Sequence, residues 1–200
     1  MATVERTGAY TFEDFCVLVP DGQKGDLIDG VIYMASPDDT AAGDLFGWLF
    51  ALLYGYIWRK DLGKLYALRI AFRLNERNSP EPDLTFVRKD REHLIESGFV
   101  NGPPDLAVEI VSPDSVERDY EKKRKLYQQA GVPVYWIIDE EKKTVLLLRL
   151  VSTRKYREVK PRKDVLHSEV VKGFWFRSEW LWQDPRPDHL ETLQQMLGAE

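Results

Sequence analysis

The chain has 200 residues, 44% of them hydrophobic and 12% aromatic, which suits one globular domain spanning 1–200 with a sizeable core. A formal net charge of −5 argues against strong non-specific affinity for polyanions, yet between Arg118 and Lys163 fourteen Lys and Arg face six Asp and Glu, enough for a local basic face. No run of 18 or more apolar residues is present, and the first residues are acidic where a signal peptide would be basic and then apolar, so a cytoplasmic protein with no membrane association is expected.

Thr11-Phe12-Glu13-Asp14 reads as a capping box opening a short helix that stops near Pro20. Leu27 to Met34 reads as two strands turned at Asp29-Gly30, a dipeptide favoured in tight hairpins. After Ser36-Pro37, the spacing of Leu45, Trp48, Leu49, Leu52, Leu53 and Tyr56 predicts a long helix over 41–59 that covers a sheet. Strands follow at 64–68, 70–74 and 84–87, then a polar, helix-compatible stretch and a strand over 105–111. This last run is apolar apart from its acids, as a central strand covered on both faces would be. A helix over 116–130 ends at Gly131, strands at 134–139 and 144–150 are joined by the charged turn 140–143, and the C-terminal part adds strands and a helix over 189–197.

Two Pro-Asp dipeptides open strands, at Pro82-Asp83 and Pro104-Asp105. Period-two alternation sends Asp105, Ala107 and Glu109 to one face and Leu106, Val108 and Ile110 to the other. Asp105, at the strand's beginning, is expected half exposed; Glu109 sits mid-strand, where an unpaired carboxylate is costly. In the following helix Val116, Tyr120, Lys123, Tyr127 and Ala130 form one core-facing stripe, so Lys123 must either snorkel or meet a buried acid, for which Glu109 is the candidate. A strand-borne Asp83, a strand-borne Glu109 and the Lys123 ammonium are the apparatus of metal-assisted phosphodiester hydrolysis, with hard oxygens holding Mg²⁺. Tyr127, Tyr135 and Trp136 read as core aromatics, and Asp139 as a turn former. Other chemistries lack their parts. Cys16 is the single cysteine and is expected to pack as a small apolar side chain in the first helix; His93, His167 and His189 lack zinc spacing; no nucleophile elbow, Walker loop or dinucleotide turn occurs.

At these positions the chain resembles the Uma-type restriction endonucleases of the PD-(D/E)XK nuclease superfamily. The resemblance runs from Tyr10 to Leu150 through Thr11-Phe12-Glu13-Asp14-Phe15, Leu27-Ile28-Asp29-Gly30, Glu81-Pro82-Asp83-Leu84, the segment Asp105 to Pro113, then Asp119, Lys123, Tyr127, Gly131-Val132 and Tyr135-Trp136-Ile137-Ile138-Asp139. It implies an α/β restriction-endonuclease-like core, a mixed β-sheet flanked by α-helices, here with extra C-terminal strands. It implies a Mg²⁺-dependent endonuclease acting on DNA, with Mn²⁺ as a substitute metal. Asp83 and Glu109 would bind the metal, with the main-chain carbonyl of Ile110 as a further ligand. The superfamily's lysine usually stands two residues after the Glu, where this chain has Val111; its role is transferred to Lys123. Asp26 matches the acid before Leu-Ile-Asp-Gly and would be an outer metal-site carboxylate. Ala42 and Val134 stand where members often carry His and Glu. The alternative reading is a non-catalytic nucleic-acid-binding or assembly module on the same fold. Trp175, Trp180 and Trp182 suggest a homodimer contact.

Overall fold

A computed structural model describes residues 5–6, 9–20, 22–36, 39–67 and 69–198. Pro37 and Leu68, which the sequence reading placed at a helix approach and a strand end, lie outside the described residues. The N-terminal part is a small antiparallel sheet of β1 (Glu5–Arg6), β2 (Gly25–Ile28) and β3 (Val31–Met34), in the order β1-β3-β2, with α1 (Phe12–Leu18) packed on it. The predicted capping box is present: Asp14 N–H donates to Thr11 Oγ1, and Asp14 Oδ2 accepts from Thr11 N–H at 2.9 Å. Phe12 and Phe15 turn inward, which leaves Cys16 on the outer side of α1 and exposed, contrary to the expectation of a packed thiol. Asp29 and Gly30 both take positive φ, 50° and 77°, the conformation of the tight hairpin their sequence predicts.

α2 (Thr40–Lys60) is capped by Asp39, whose Oδ1 accepts from Ala42 N–H at 2.8 Å. It lies on a six-stranded sheet made of β4 (Gly63–Ala67), β6 (Leu84–Arg88), β8 (Leu106–Ile110), β9 (Val134–Asp139), β10 (Thr144–Leu150) and β11 (Tyr156–Glu158), in the order β11-β10-β9-β8-β6-β4. Only β8 and β9 run parallel, so the sheet is mixed. Two short strands, β5 (Ala71–Phe72) and β7 (Phe99–Val100), pair outside it; the predicted strand at 70–74 shrinks to β5. The Lys89–Leu94 stretch is a 3₁₀ turn.

The alternation read from β8 holds. Leu106, Val108 and Ile110 pack with Leu45, Leu49 and Leu52 of α2, while Ala107 faces Tyr127 and Tyr135 on the other side. That other side is covered by a π-helical turn, Arg118–Lys123, running into α3 (Arg124–Ala130), which ends on Gly131 at φ 83°. A last hairpin, β12 (Val165–His167) with β13 (Trp175–Arg177), and α4 (His189–Gly198) close over α2, with Phe174 and Phe176 fully buried. Trp175, Trp180 and Trp182 pack half-buried against the same core. The most open aromatics on α2 are Tyr54 and Trp58. By length and composition α2 is the one helix among the described residues apolar enough to cross a membrane, and its Leu45, Leu49, Leu52 and Leu53 are spent on the sheet.

Candidate active site

β6 and β8 are antiparallel with Leu84 opposite Val108, and continuing that register by one residue sets Asp83 across from Glu109. Both side chains then leave the sheet on the α3 side. Like charges directly opposite each other destabilise a sheet unless something offsets them. Here Lys24, just ahead of β2, sits between the two: its Nζ donates to Asp83 Oδ1 and lies 4.0 Å from Glu109 Oε2. Asp83 Oδ2 in turn accepts from Ile110 N–H at 2.7 Å, so the carboxylate is fixed against the end of β8. Lys24, Asp83, Glu109, Ile110 and Asp119 line one open cavity of about 520 Å³.

Lys123 is behind that cavity, not in it. It is 1% exposed, and its Nζ lies 2.9 Å from Glu109 Oε1, 3.0 Å from Asp26 Oδ2 and 3.7 Å from Asp119 Oδ1. Tyr127 hydroxyl also donates to Glu109 Oε1 at 2.9 Å, so this expected core aromatic holds a site carboxylate as well. The predicted stripe brought Lys123 and Tyr127 inward, but the π turn widens the inward face to include Arg118 and Asp119. Arg118 Nε lies 3.3 Å from Asp26 Oδ2, Ser115 hydroxyl donates to Asp119 Oδ2, and Tyr135 hydroxyl donates to the Asp119 carbonyl at 2.9 Å. Asp26 and Glu81 clamp the small sheet to the start of β6: Asp26 Oδ1 accepts from Glu81 N–H at 2.9 Å, and Glu81 Oε2 accepts from Gly25 N–H at 3.0 Å.

Five buried carboxylates (Asp26, Glu81, Asp83, Glu109, Asp119) thus share three cations (Lys24, Arg118, Lys123). Burial pushes Glu109 up to about 8 against the pull of Lys123, and Glu81 up to about 7. Burial raises Asp119 too. Burial alone would raise Asp26, but Lys123, Arg118 and Lys24 hold it below the ordinary carboxylate range. Burial opposes the charged forms of Lys24 and Lys123, and the surrounding acids outweigh it in both. Both lysines therefore stay charged, and the excess carboxylate charge is relieved at Glu109 and Glu81.

Asp105 departs from its expectation. It is fully buried at the other end of β8, where Oδ1 lies 2.9 Å from Arg91 Nη1 and Oδ2 accepts from Arg88 N–H at 2.9 Å. The 3₁₀ turn carries Arg91 back over the strand's beginning, so the acid is a structural ion pair remote from Glu109.

Residues 10–179 match the model of a family described as "Uma2: Putative restriction endonuclease". The chain belongs to the Uma2 family. A solved structure titled as a putative nuclease belonging to DUF820 from Anabaena variabilis ATCC 29413 is similar to this Uma2 chain, with a TM-score of 0.70 at 18% identity, covering 86% of this chain and 97% of that one. At that identity the likeness is one of fold, a restriction-endonuclease-like mixed sheet flanked by helices. No match is found among the curated proteins.

Within this Uma2 chain, the donor set suits a hard divalent cation. Asp83 and Glu109 offer oxygens within 4.0 Å of one cation, Lys24 Nζ, and the Ile110 peptide adjoins them. Asp119 Oδ1, whose residue lines the cavity, is buried with no hydrogen-bond partner among the described residues, its nearest cation being Lys123 Nζ at 3.7 Å. Among the described residues no three His, Cys, Asp or Glu side chains group to enclose a metal. Sequence reasoning gave no site role to Lys24 or Arg118 and quoted Glu81 and Asp119 only as motif positions. Two had a usable signal: Lys24 precedes Asp26 by two residues and Glu81 precedes Asp83 by two, the spacing that shares a face in extended chain.

Proposed function

We propose that this Uma2 protein is a Mg²⁺-dependent endonuclease hydrolysing DNA phosphodiester bonds, with Asp83 and Glu109 as metal ligands, the Ile110 carbonyl as a third, and Mn²⁺ able to substitute. The observation that carries the reading is the meeting of Asp83 and Glu109, from adjacent strands, with Lys24 in one open cavity. A bound divalent ion would polarise a phosphoryl oxygen and lower the pKa of a water. The chain's own residues do the rest. Lys24, on the cavity wall, is the ammonium free to turn from Asp83 to a phosphate oxygen and offset the charge that develops there. Lys123 and Tyr127 hold Glu109 in place from behind, and Asp26 holds Lys123. Lys123, the ammonium expected from sequence, is then a positioning residue.

One observation favours a second reading, a nucleic-acid-binding module without cleavage: the Lys24 ammonium fills the space between the two carboxylates where a cation would lie. Purified protein incubated with single- and double-stranded DNA and Mg²⁺ or Mn²⁺ separates the two. The nuclease reading expects Asp83→Ala to abolish cleavage and Lys24→Ala to lower its rate by about 10²–10³-fold, the usual cost of losing one preorganised charge stabiliser. Calorimetry should show Mg²⁺ binding that Asp83→Ala removes. Cleavage unaffected by Asp83→Ala sinks the assignment, and no metal binding with intact DNA binding selects the module.

A further inference from the structure

The basic run noted in the sequence divides in the structure. Arg118 and Lys123 are buried in the acid cluster, whereas residues 149–163 carry Arg149, Arg154, Lys155, Arg157, Lys160, Arg162 and Lys163 against Glu158 alone, and every one of these is exposed. They lie on β10, the edge strand β11 and the loop toward β12. Two ion pairs are present, Arg149 with Glu169 at 3.0 Å and Lys160 with Glu158. Arg154, Lys155, Arg157, Arg162 and Lys163 form none with any described residue. In a protein of net charge −5 this concentration is not needed for solubility.

The backbone holds these cations in place. Arg149 is paired directly across from Arg157, a like-charge cross-strand pair that weakens a sheet unless anions offset it; Glu169 offsets Arg149, and Arg157 has no ion pair among the described residues. Lys163 and Asp164 both take positive φ, 51° and 62°, forming a two-residue turn whose flanks Arg162 and Val165 exchange backbone hydrogen bonds at 2.9 and 3.1 Å. Non-glycine residues adopt that conformation rarely, so the turn is a specified feature. Arg149, Arg157, Lys160 and Arg162, with His167 and the two acids Glu158 and Glu169, wall a groove of about 400 Å³, a net basic lining. Register puts Arg149 opposite Val134, on the α2 side of the sheet, whereas Glu109 faces α3. The groove is therefore no wall of the candidate active site.

We infer that the β10–β11 edge and its following turn are a second docking surface for the phosphate backbone of duplex DNA, sequence-independent and separate from the cleavage cavity. The inference rests on DNA being the ligand of the proposed function. Exposed Lys and Arg meet phosphates as charges and carry no base readout. β11 is three strands from β8 and the groove opens on the face of the sheet opposite Glu109, so this surface holds DNA away from the cleavage cavity.

The test is fluorescence polarisation of a fluorescein-labelled duplex of about three helical turns, titrated with the full chain in EDTA so that no cleavage occurs, over a series of salt concentrations. R157E/K160E/R162E should weaken binding at least tenfold and flatten the salt dependence by about 0.9 in log–log slope for each phosphate the variant no longer neutralises. R59E/K64E/K172E, the same charge change at exposed positions elsewhere, should have a clearly smaller effect. Equal binding by R157E/K160E/R162E and the unaltered chain, equal losses in the two triple variants, or no binding by the unaltered chain each overturns the inference. Metal-dependent cleavage at saturating protein is assayed in parallel: if Asp83-dependent cleavage persists while the docking result is negative, the docking surface fails and the nuclease reading stands. Circular dichroism checks that both triple variants stay folded.

Discussion

Lys24 and Lys123 differ less in charge than in what surrounds them. Lys123 is enclosed by Asp26, Glu109 and Asp119, and removing it leaves three buried carboxylates short of a partner; Lys24 lies at the cavity wall, where water can replace it. Breaking a buried ion pair from one side costs roughly 3–5 kcal/mol, far more than losing a partly exposed pair. We therefore expect Lys123→Met to lower stability by an amount of that order in urea unfolding, and Lys24→Met to lower it by well under half as much. Comparable losses in the two variants would contradict the division between a positioning and a cavity-facing lysine. The sequence made Lys123 legible because helical spacing put it among apolar neighbours. Lys24, in the approach to β2, shows only its two-residue spacing from Asp26, and its placement depends on a side-chain contact with Asp83, 59 residues away.

At the level of elements, nearly all the helices and sheet strands could be read from period and turn chemistry, because their signals are local: the Thr11 box, the Asp29-Gly30 turn, the α2 stripe and the β8 alternation. The π turn could not, since it shows in which residues it buries and carries no local signature; Arg118 and Asp119 join the cluster through it. β5 fell short of its apolar run because it pairs only with the two-residue β7. Glycines show the same split between local and distant control. Gly63 joins α2 to β4 at φ 144°, and an added Cβ would stand 2.1 Å from the Val87 carbonyl oxygen. Gly47 lies exposed within α2 with nothing within 4 Å of an added Cβ. Gly47→Ala should therefore stabilise the protein by about 0.5–1 kcal/mol through helix propensity, whereas Gly63→Ala should destabilise it by about 1–3 kcal/mol or more. Urea midpoints moving in the same direction for both would refute this account of the α2–β4 joint.

The whole molecule folds around a charge imbalance. In the site cluster, five buried carboxylates against three cations leave an excess that the protein relieves by holding protons on Glu109, raised to about 8, and Glu81, raised to about 7, from an ordinary 4.5. A carboxyl whose folded pKa lies above its unfolded one binds more protons folded than unfolded between the two values. By linkage, stability must then fall as pH rises through that window, and level off above it. The divalent ion proposed for Asp83 and Glu109 would favour the ionised form and reverse the effect, adding about 2.7 kcal/mol once its concentration reached a hundred times Kd. Scanning calorimetry of the metal-free protein should thus show Tm decreasing between about pH 5 and 8. Adding Mg²⁺ should raise Tm more at the upper end of that range than at the lower, because fewer protons remain to be displaced. Glu109→Gln should flatten the metal-free pH dependence and abolish most of the Mg²⁺ effect together. A metal-induced rise that grows as pH falls, or one untouched by Glu109→Gln, would place the cation away from these carboxylates and return the cluster to a purely structural role.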